Sequence, residues 1–203
     1  MEFDKILKLL SEEQMYANEN FVPIIRPNSA KYLYDFVKDK KINTVLEIGT
    51  AIGYSGSIML SAGATKLKTI DINDKSLSVA KNTFSKLGFS DRVEIVNKDA
   101  KVVLQELVSN DEKFDLIFLD GAKGQYINYL PNLKKLLNKY GYIFADNVLL
   151  SGMVESKEKI PHRKRTMVVN LRKYLELINT DEDFDTNLIR LEDGIAISKY
   201  KGE

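Results

Sequence analysis

The 203-residue sequence contains no cysteine and a single histidine, His162. Without thiols there is no disulfide framework, no thiolate nucleophile and no zinc site built on sulfur. One imidazole also argues against a Ser-His-Asp triad or a multi-histidine metal site, and His162 reads as a surface or loop residue. No apolar run approaches the roughly 18–20 residues that span a bilayer, and Met1 to Asn20 lacks the basic start and apolar stretch of a secretory signal. These absences predict a cytoplasmic protein with no membrane partner. Its chemistry must come from carboxylates, amides, lysines, a hard metal ion or a cofactor.

Excess charge is scarce too, with 30 basic side chains against 29 acidic ones and a formal net charge of +1. That balance argues against indiscriminate nucleic-acid binding, but it hides an uneven distribution. Met1 to Asn20 carries five acids and two lysines, a net −3, whereas Ser156 to Lys173 carries seven basic side chains and one acid, a net +6. Such a block is ordinarily a solvated helix face; it is also what would grip the phosphates beside an everted nucleotide. Arg163, Lys164 and Arg165 are its centre, and Arg26 could join it.

Hydrophobic residues make up 44% and charged residues 29%, the composition of an ordinary globular protein, and no repeat or Pro/Gly/Ser-rich linker divides the chain. It reads as a single domain, 1–203. Phe3, Ile6, Leu7 and Leu10 recur at helical spacing, which predicts an N-terminal cap helix within residues 1–20. From Asn43 onward, short branched apolar runs alternate with amphipathic stretches. Strands are predicted at Thr44 to Ile48, Leu67 to Ile72, Val93 to Asn97, Leu116 to Leu119 and Tyr142 to Asp146. Helices are predicted at Ser55 to Ser61, Lys75 to Leu87, Val102 to Val108, Tyr126 to Asn138 and Val168 to Ile178. Two further strands, Asn187 to Leu191 and Ile195 to Tyr200, would form a hairpin through Glu192-Asp193-Gly194. The expected class is α/β and Rossmann-like: a mostly parallel seven-stranded sheet with a C-terminal antiparallel hairpin and helices on both faces.

Val45 to Gly56 reads as a buried strand entering a glycine loop and then a helix. Gly49 and Gly53 are spaced Gly-x-x-x-Gly, and Ala51 stands where a dinucleotide fingerprint needs its second glycine. Alone, this is equally a tight strand-to-helix turn. With Glu47 in the apolar strand, Asp71 at the end of the second strand and Asp99 at the end of the third, the set favours S-adenosylmethionine. Ser55 could bind a carboxylate at the helix start, Asp71 the ribose hydroxyls, and Asp99 the adenine amino group.

The fourth and fifth predicted strands end in Asp120 and Asp146-Asn147. An Asp-Asn pair after a strand is commonly just a turn. Three hard oxygen donors from neighbouring strand ends would instead suit magnesium, manganese or calcium. Lys123 follows Asp120 by three residues. A loop lysine is usually a solvated charge, but beside a divalent cation an ammonium gives up its proton more readily, which suits general-base work.

From about Phe21 onward the chain resembles the metal-dependent O-methyltransferases of the catechol and caffeoyl-CoA type. The resemblance rests on Leu46 to Ser55, Asp120-Gly121-Ala122-Lys123 and Asp146-Asn147-Val148-Leu149. Val22-Pro23-Ile24-Ile25, Lys123-Gly124-Gln125-Tyr126, Arg163-Lys164-Arg165 and Asp193 to Lys199 are most similar to the bacterial tRNA 5-hydroxyuridine methyltransferases. The resemblance implies cofactor contacts at Ile25, Ser55, Asp71, Asp99, Ala100 and Asp120, with magnesium or manganese on Asp120, Asp146 and Asn147. It implies Lys123 as base, a tRNA anticodon loop as partner, and a homodimer. Asp71 departs from the family's usual glutamate and Gly121 from its usual alanine. Two other readings remain: methylation of small catechols or phenolic esters, and a non-catalytic RNA-binding protein.

Overall fold

Runs of Val, Ile, Leu and Phe become strands where the pattern predicts them. The computed structural model describes Met1 to Gly202. In it the chain divides into two compact units, Met1–Val103 and the residues from Leu104 onward, with the division falling inside one helix.

The first unit holds β1 (Thr44–Ile48), β2 (Lys66–Asp71) and β3 (Val93–Asn97), all parallel, in the order β3-β2-β1. Its helices are α1 (Phe3–Leu9), α2 (Ser11–Glu19), α3 (Pro27–Asp39), α4 (Tyr54–Ala62) and α5 (Asp74–Lys86). The expected cap helix is therefore two helices, broken at Leu10, where ψ rises to 11°. Leu10 still points inward, fully buried with Ile6, so the burial periodicity survives the break. The Met1 ammonium donates to the Ser61 carbonyl at 2.9 Å and ties this segment to the end of α4.

Helix α3 has no counterpart in the sequence pattern. Pro27 opens it, where a missing N–H costs nothing, and Leu33, Tyr34 and Val37 bury one face. Helix α6 (Ala100–Ser109) contains the division between the units.

The second unit holds β4 (Phe114–Leu119), α7 (Tyr126–Leu136), β5 (Leu137–Asp146), α8 (Arg165–Thr180), β6 (Phe184–Ile189) and β7 (Ile195–Tyr200). Its strand order is β4-β5-β7-β6. β4 and β5 are parallel, whereas β7 runs antiparallel to both of its neighbours. The seven strands, with the C-terminal pair antiparallel, make the expected Rossmann-like α/β architecture.

Several boundaries differ from expectation, most of all at β5 and at β6, which is Phe184–Ile189 rather than Asn187 to Leu191. β5 begins at Leu137 rather than Tyr142, so α7 stops earlier; Leu137 pairs with Phe114, and the register then shifts. The extra residues are absorbed at Tyr140, whose φ is +65°. The β6–β7 connection is also longer than the expected turn Glu192-Asp193-Gly194, because the last pair is Ile189 with Ile195. Among the described residues, no helix is long and apolar enough to cross a membrane.

Candidate active site

In the first unit the glycine loop joins β1 to α4. Gly49, Ala51 and Gly53 all have positive φ, at 108°, 44° and 78°. Gly53 cannot be replaced freely, since a Cβ there would lie 3.0 Å from the Phe84 ring and 3.3 Å from the Ala80 backbone. The loop is fastened to β2. The N–H groups of Gly49 and Thr50 donate to the Ile70 carbonyl at 2.9 and 3.3 Å, and the Ala51 N–H donates to Asp71 Oδ2 at 2.9 Å.

Glu47 and Ser55 are brought together, but not as side chains lining open space. Glu47 is fully buried, and its oxygens accept from the Ser55 hydroxyl and, at 2.6 Å, from the Thr69 hydroxyl. Because Thr69 spends its proton on Glu47, Thr50 is the donor in the 2.6 Å Thr50–Thr69 contact. Glu47, expected among the cofactor-binding residues, therefore sits behind the loop and braces it through the Ser55 and Thr69 hydroxyls. Ser55, itself 6% exposed, is the other half of that brace.

Asp71 lies half-buried at the end of β2, where its second oxygen accepts from the Asn73 N–H at 2.9 Å. Asp99 is exposed and caps α6, with Oδ1 accepting from the Lys101 N–H at 2.7 Å and half-buried Ala100 next to it. Each carboxylate oxygen keeps a further lone pair for a ligand hydroxyl or amine.

Ile25 is buried and Arg26 exposed at the start of α3. Both border a cavity of about 350 Å³ that is also lined by Asn18 and Tyr54. Tyr54 was not singled out from sequence, although its place directly after Gly53 at the loop exit was the available signal. Its hydroxyl accepts from the Gln14 amide at 2.5 Å, and burial, above all, raises its pKa.

The second unit carries the acids and the lysine. Asp120 follows β4, and Lys123 Nζ lies 3.2 Å from its Oδ1. Burial raises the Asp120 pKa and the charge of Lys123 offsets part of that rise. Asp146, which ends β5, is 1% exposed, and neither carboxylate oxygen has a hydrogen-bond partner. Its pKa rises to about 7, first from burial and then from the like charge of Asp120, while the adjacent Asn147 N–H and the charge of Lys123 act to lower it.

Asn147 is held at a φ of +56°. The hairpin turn holds it there: the Val148 and Leu149 N–H groups donate to the Gly194 and Asp193 carbonyls at 3.0 and 2.8 Å. Gly194 is indispensable to this clamp, since its Cβ would sit 2.3 Å from Leu149 Cγ. Among the described residues, no three His, Cys, Asp or Glu side chains group as a metal cluster. The oxygen set is two carboxylates and the Asn147 amide.

Arg163, Lys164 and Arg165 are exposed on a single 3₁₀ turn and the first residue of α8. Arg172 is engaged elsewhere. Its guanidinium donates to the carbonyls of Met153, Val154 and Ser156, at 3.1, 2.7 and 2.7 Å, and so braces the loop after β5.

A family profile described as O-methyltransferase matches residues 2–201. The chain is 25% identical to a caffeoyl-CoA O-methyltransferase of Populus kitakamiensis, covering 85% of this chain and 76% of the relative. It is 28% identical to caffeoyl-CoA O-methyltransferase 1 of Arabidopsis thaliana, covering 85% and 69%. A Staphylococcus aureus structure superposes with a TM-score of 0.85 at 27% identity, covering 97% and 98% of the two chains. At 24% identity, an O-methyltransferase of Bacillus cereus solved in complex with SAH shares the fold, with a TM-score of 0.85 and coverage of 96% and 91%.

Proposed function

The chain belongs to the O-methyltransferase family, and we propose that it is an S-adenosylmethionine- and magnesium-dependent enzyme that methylates 5-hydroxyuridine at the tRNA wobble position to 5-methoxyuridine. The observation that carries the metal is Asp146. A carboxylate buried with both oxygens unpartnered beside a second carboxylate is costly unless a cation joins them. Asp120, Asp146 and Asn147 offer only hard oxygen, which suits magnesium or manganese. When bound, such an ion supplies positive charge that favours the ionised form of the acceptor hydroxyl.

The glycine loop, Asp71, Asp99 and Ala100 would bind the cofactor, with Glu47 holding the loop in shape. S-adenosylmethionine supplies a sulfonium methyl group. With the cation bound, Lys123 Nζ, held by Asp120 and present as the neutral amine, would receive the hydroxyl proton as the acceptor oxygen attacks that methyl in line. The carbon–sulfur bond would break as the carbon–oxygen bond forms, with S-adenosylhomocysteine as the leaving group. Positioning and charge stabilisation, rather than covalent catalysis, would provide the rate.

Helix α8 supports the RNA substrate. Its first turn contains no acid, and three basic side chains stand at its N-terminal edge. Cations there oppose the helix dipole by about 0.3–1 kcal/mol each, a cost that a bound phosphate would reverse. A 5-hydroxyuracil presents a ring hydroxyl beside the C4 carbonyl, an oxygen pair like that of a catechol. Nucleoside mass spectrometry of tRNA from a deletion strain tests the reading. We expect 5-methoxyuridine to disappear and 5-hydroxyuridine to accumulate; unchanged 5-methoxyuridine in a strain with no second such enzyme would refute it. Turnover of small phenolic esters with tRNA unaffected would favour a caffeoyl-CoA-like substrate instead.

A further inference from the structure

Lys123 sits in a single 3₁₀ turn, Lys123–Gln125, which has little packing of its own; Lys123 and Gly124 are half-buried and Gln125 is exposed. Inside the turn, the Gln125 N–H donates to the Ala122 carbonyl at 2.7 Å. Two anchors hold the turn from outside. Behind it, the buried Tyr126 hydroxyl donates to the Leu119 carbonyl at 2.9 Å, one residue before Asp120. From α8, the Asn170 side-chain amide donates to the Gly124 carbonyl at 2.8 Å.

Asn170 does not act from an isolated position on that helix. Met167, Asn170 and Tyr174 are spaced three and four residues apart and so share one face of α8. A Cβ on Gly124 would lie 3.8 Å from the Met167 backbone, and the Tyr174 ring packs edge-on against Tyr126 at 5.6 Å. One helix face therefore lines the segment from Gly124 to Tyr126, and Asn170 makes its polar link to the turn. The same helix begins at the basic cluster.

We propose that Asn170 is a positioning residue for methyl transfer: its hydrogen bond to the Gly124 carbonyl sets the turn that aims Lys123. This rests on the reading of Lys123 as the base. Nothing in the sequence pattern separates Asn170 from any polar residue on an amphipathic helix. The bond joins α8 to a turn 46 positions earlier in the chain.

The test is a double-mutant cycle on the full-length protein with wild type, Asn170→Ala, Lys123→Ala and the double variant. Radiolabelled methyl transfer is measured with saturating magnesium and S-adenosylmethionine, using both an anticodon stem-loop bearing 5-hydroxyuridine and 3,4-dihydroxybenzoate as acceptors. Asn170→Ala should lower kcat on the order of tenfold while leaving KM for S-adenosylmethionine unchanged, because an ångström of misplacement at a reacting group is costly in rate. In the Lys123→Ala background it should cost nothing further. Losses that multiply would overturn the proposal, since they would mean that Asn170 acts by some route other than Lys123. Full activity of Lys123→Ala would remove the base assignment itself, and this inference with it. Hydrogen exchange supplies a readout independent of turnover: Asn170→Ala should speed exchange at the Gln125 amide and leave β4 protected, and an unchanged Gln125 rate would equally overturn the tether.

Discussion

Asp146 permits a stability prediction whose sign is opposite to that of most buried substitutions. Its carboxyl is 1% exposed, unpartnered, and raised from 3.8 to about 7. Below about pH 4 the group is protonated in both folded and unfolded chains and contributes nothing to pH dependence. Between about 4 and 7 the unfolded chain ionises while the folded one does not, so stability falls as pH rises. Above about 7 the full penalty applies, on the order of 4 kcal/mol at 1.36 kcal/mol per pH unit. Asp146→Asn keeps the shape and removes the charge. In EDTA at pH 8 the variant should therefore melt above wild type, by roughly 10 °C if the whole penalty is recovered at about 2–4 °C per kcal/mol. At about pH 3.5, below the unfolded pKa, the two should nearly coincide. Adding millimolar magnesium at pH 8 should raise the wild-type melting temperature and leave the variant where it was, because a ligand stabilises only the state it binds. Calorimetry across this grid decides the matter. A variant less stable than wild type at pH 8 in EDTA would refute the buried-charge reading, and equal magnesium stabilisation of both proteins would refute the ligand role.

Three further outcomes follow from the geometry. Gly194→Ala should destabilise by about 2 kcal/mol or more in urea unfolding, through its positive φ and the collision with Leu149, and should weaken magnesium binding because the clamp on Asn147 loosens. Wild-type-like urea and magnesium titrations would contradict it. Thr69→Val removes the donor to Glu47 and the acceptor of Thr50 at a site with no solvent access; a loss of about 1–3 kcal/mol is expected, together with weaker binding of S-adenosylhomocysteine by calorimetry. Replacing Arg163, Lys164 and Arg165 together by serine should weaken tRNA binding and flatten its dependence on log salt by about 2, at roughly 0.7 for each phosphate no longer neutralised. The rate on 3,4-dihydroxybenzoate should be unaffected; an unchanged salt slope would place the RNA elsewhere.

The chain order of the site residues was legible in the sequence because it depends on local chemistry. Apolar β-branched runs must be buried and paired, the residue that ends such a strand emerges at its carboxyl edge, and a loop reversing into a helix needs the positive φ of Gly49 and Gly53. Asp71, Asp120 and Asp146 could therefore be placed at strand ends, and β1, β3 and β7 were bounded to the residue. Helix α3 escaped notice because its apolar positions are interleaved with polar ones and no strand brackets it. The early start of β5 was hidden because only its pairing with Phe114 makes Leu137 a strand residue.

What each side chain does was decided by tertiary contacts between residues distant in sequence. Glu47 looks like a ligand-facing acid until Thr69, 22 positions away, is seen to occupy it. Arg172 looks like part of a phosphate grip until the carbonyls of Met153, Val154 and Ser156 surround its guanidinium. The Gly194 turn looks like a simple hairpin until Leu149 is found against it. Composition and spacing state which groups are available, but hydrogen bonds saturate: once a donor or acceptor has a protein partner, its remaining capacity for a ligand depends on neighbours that only folding brings within about 3 Å.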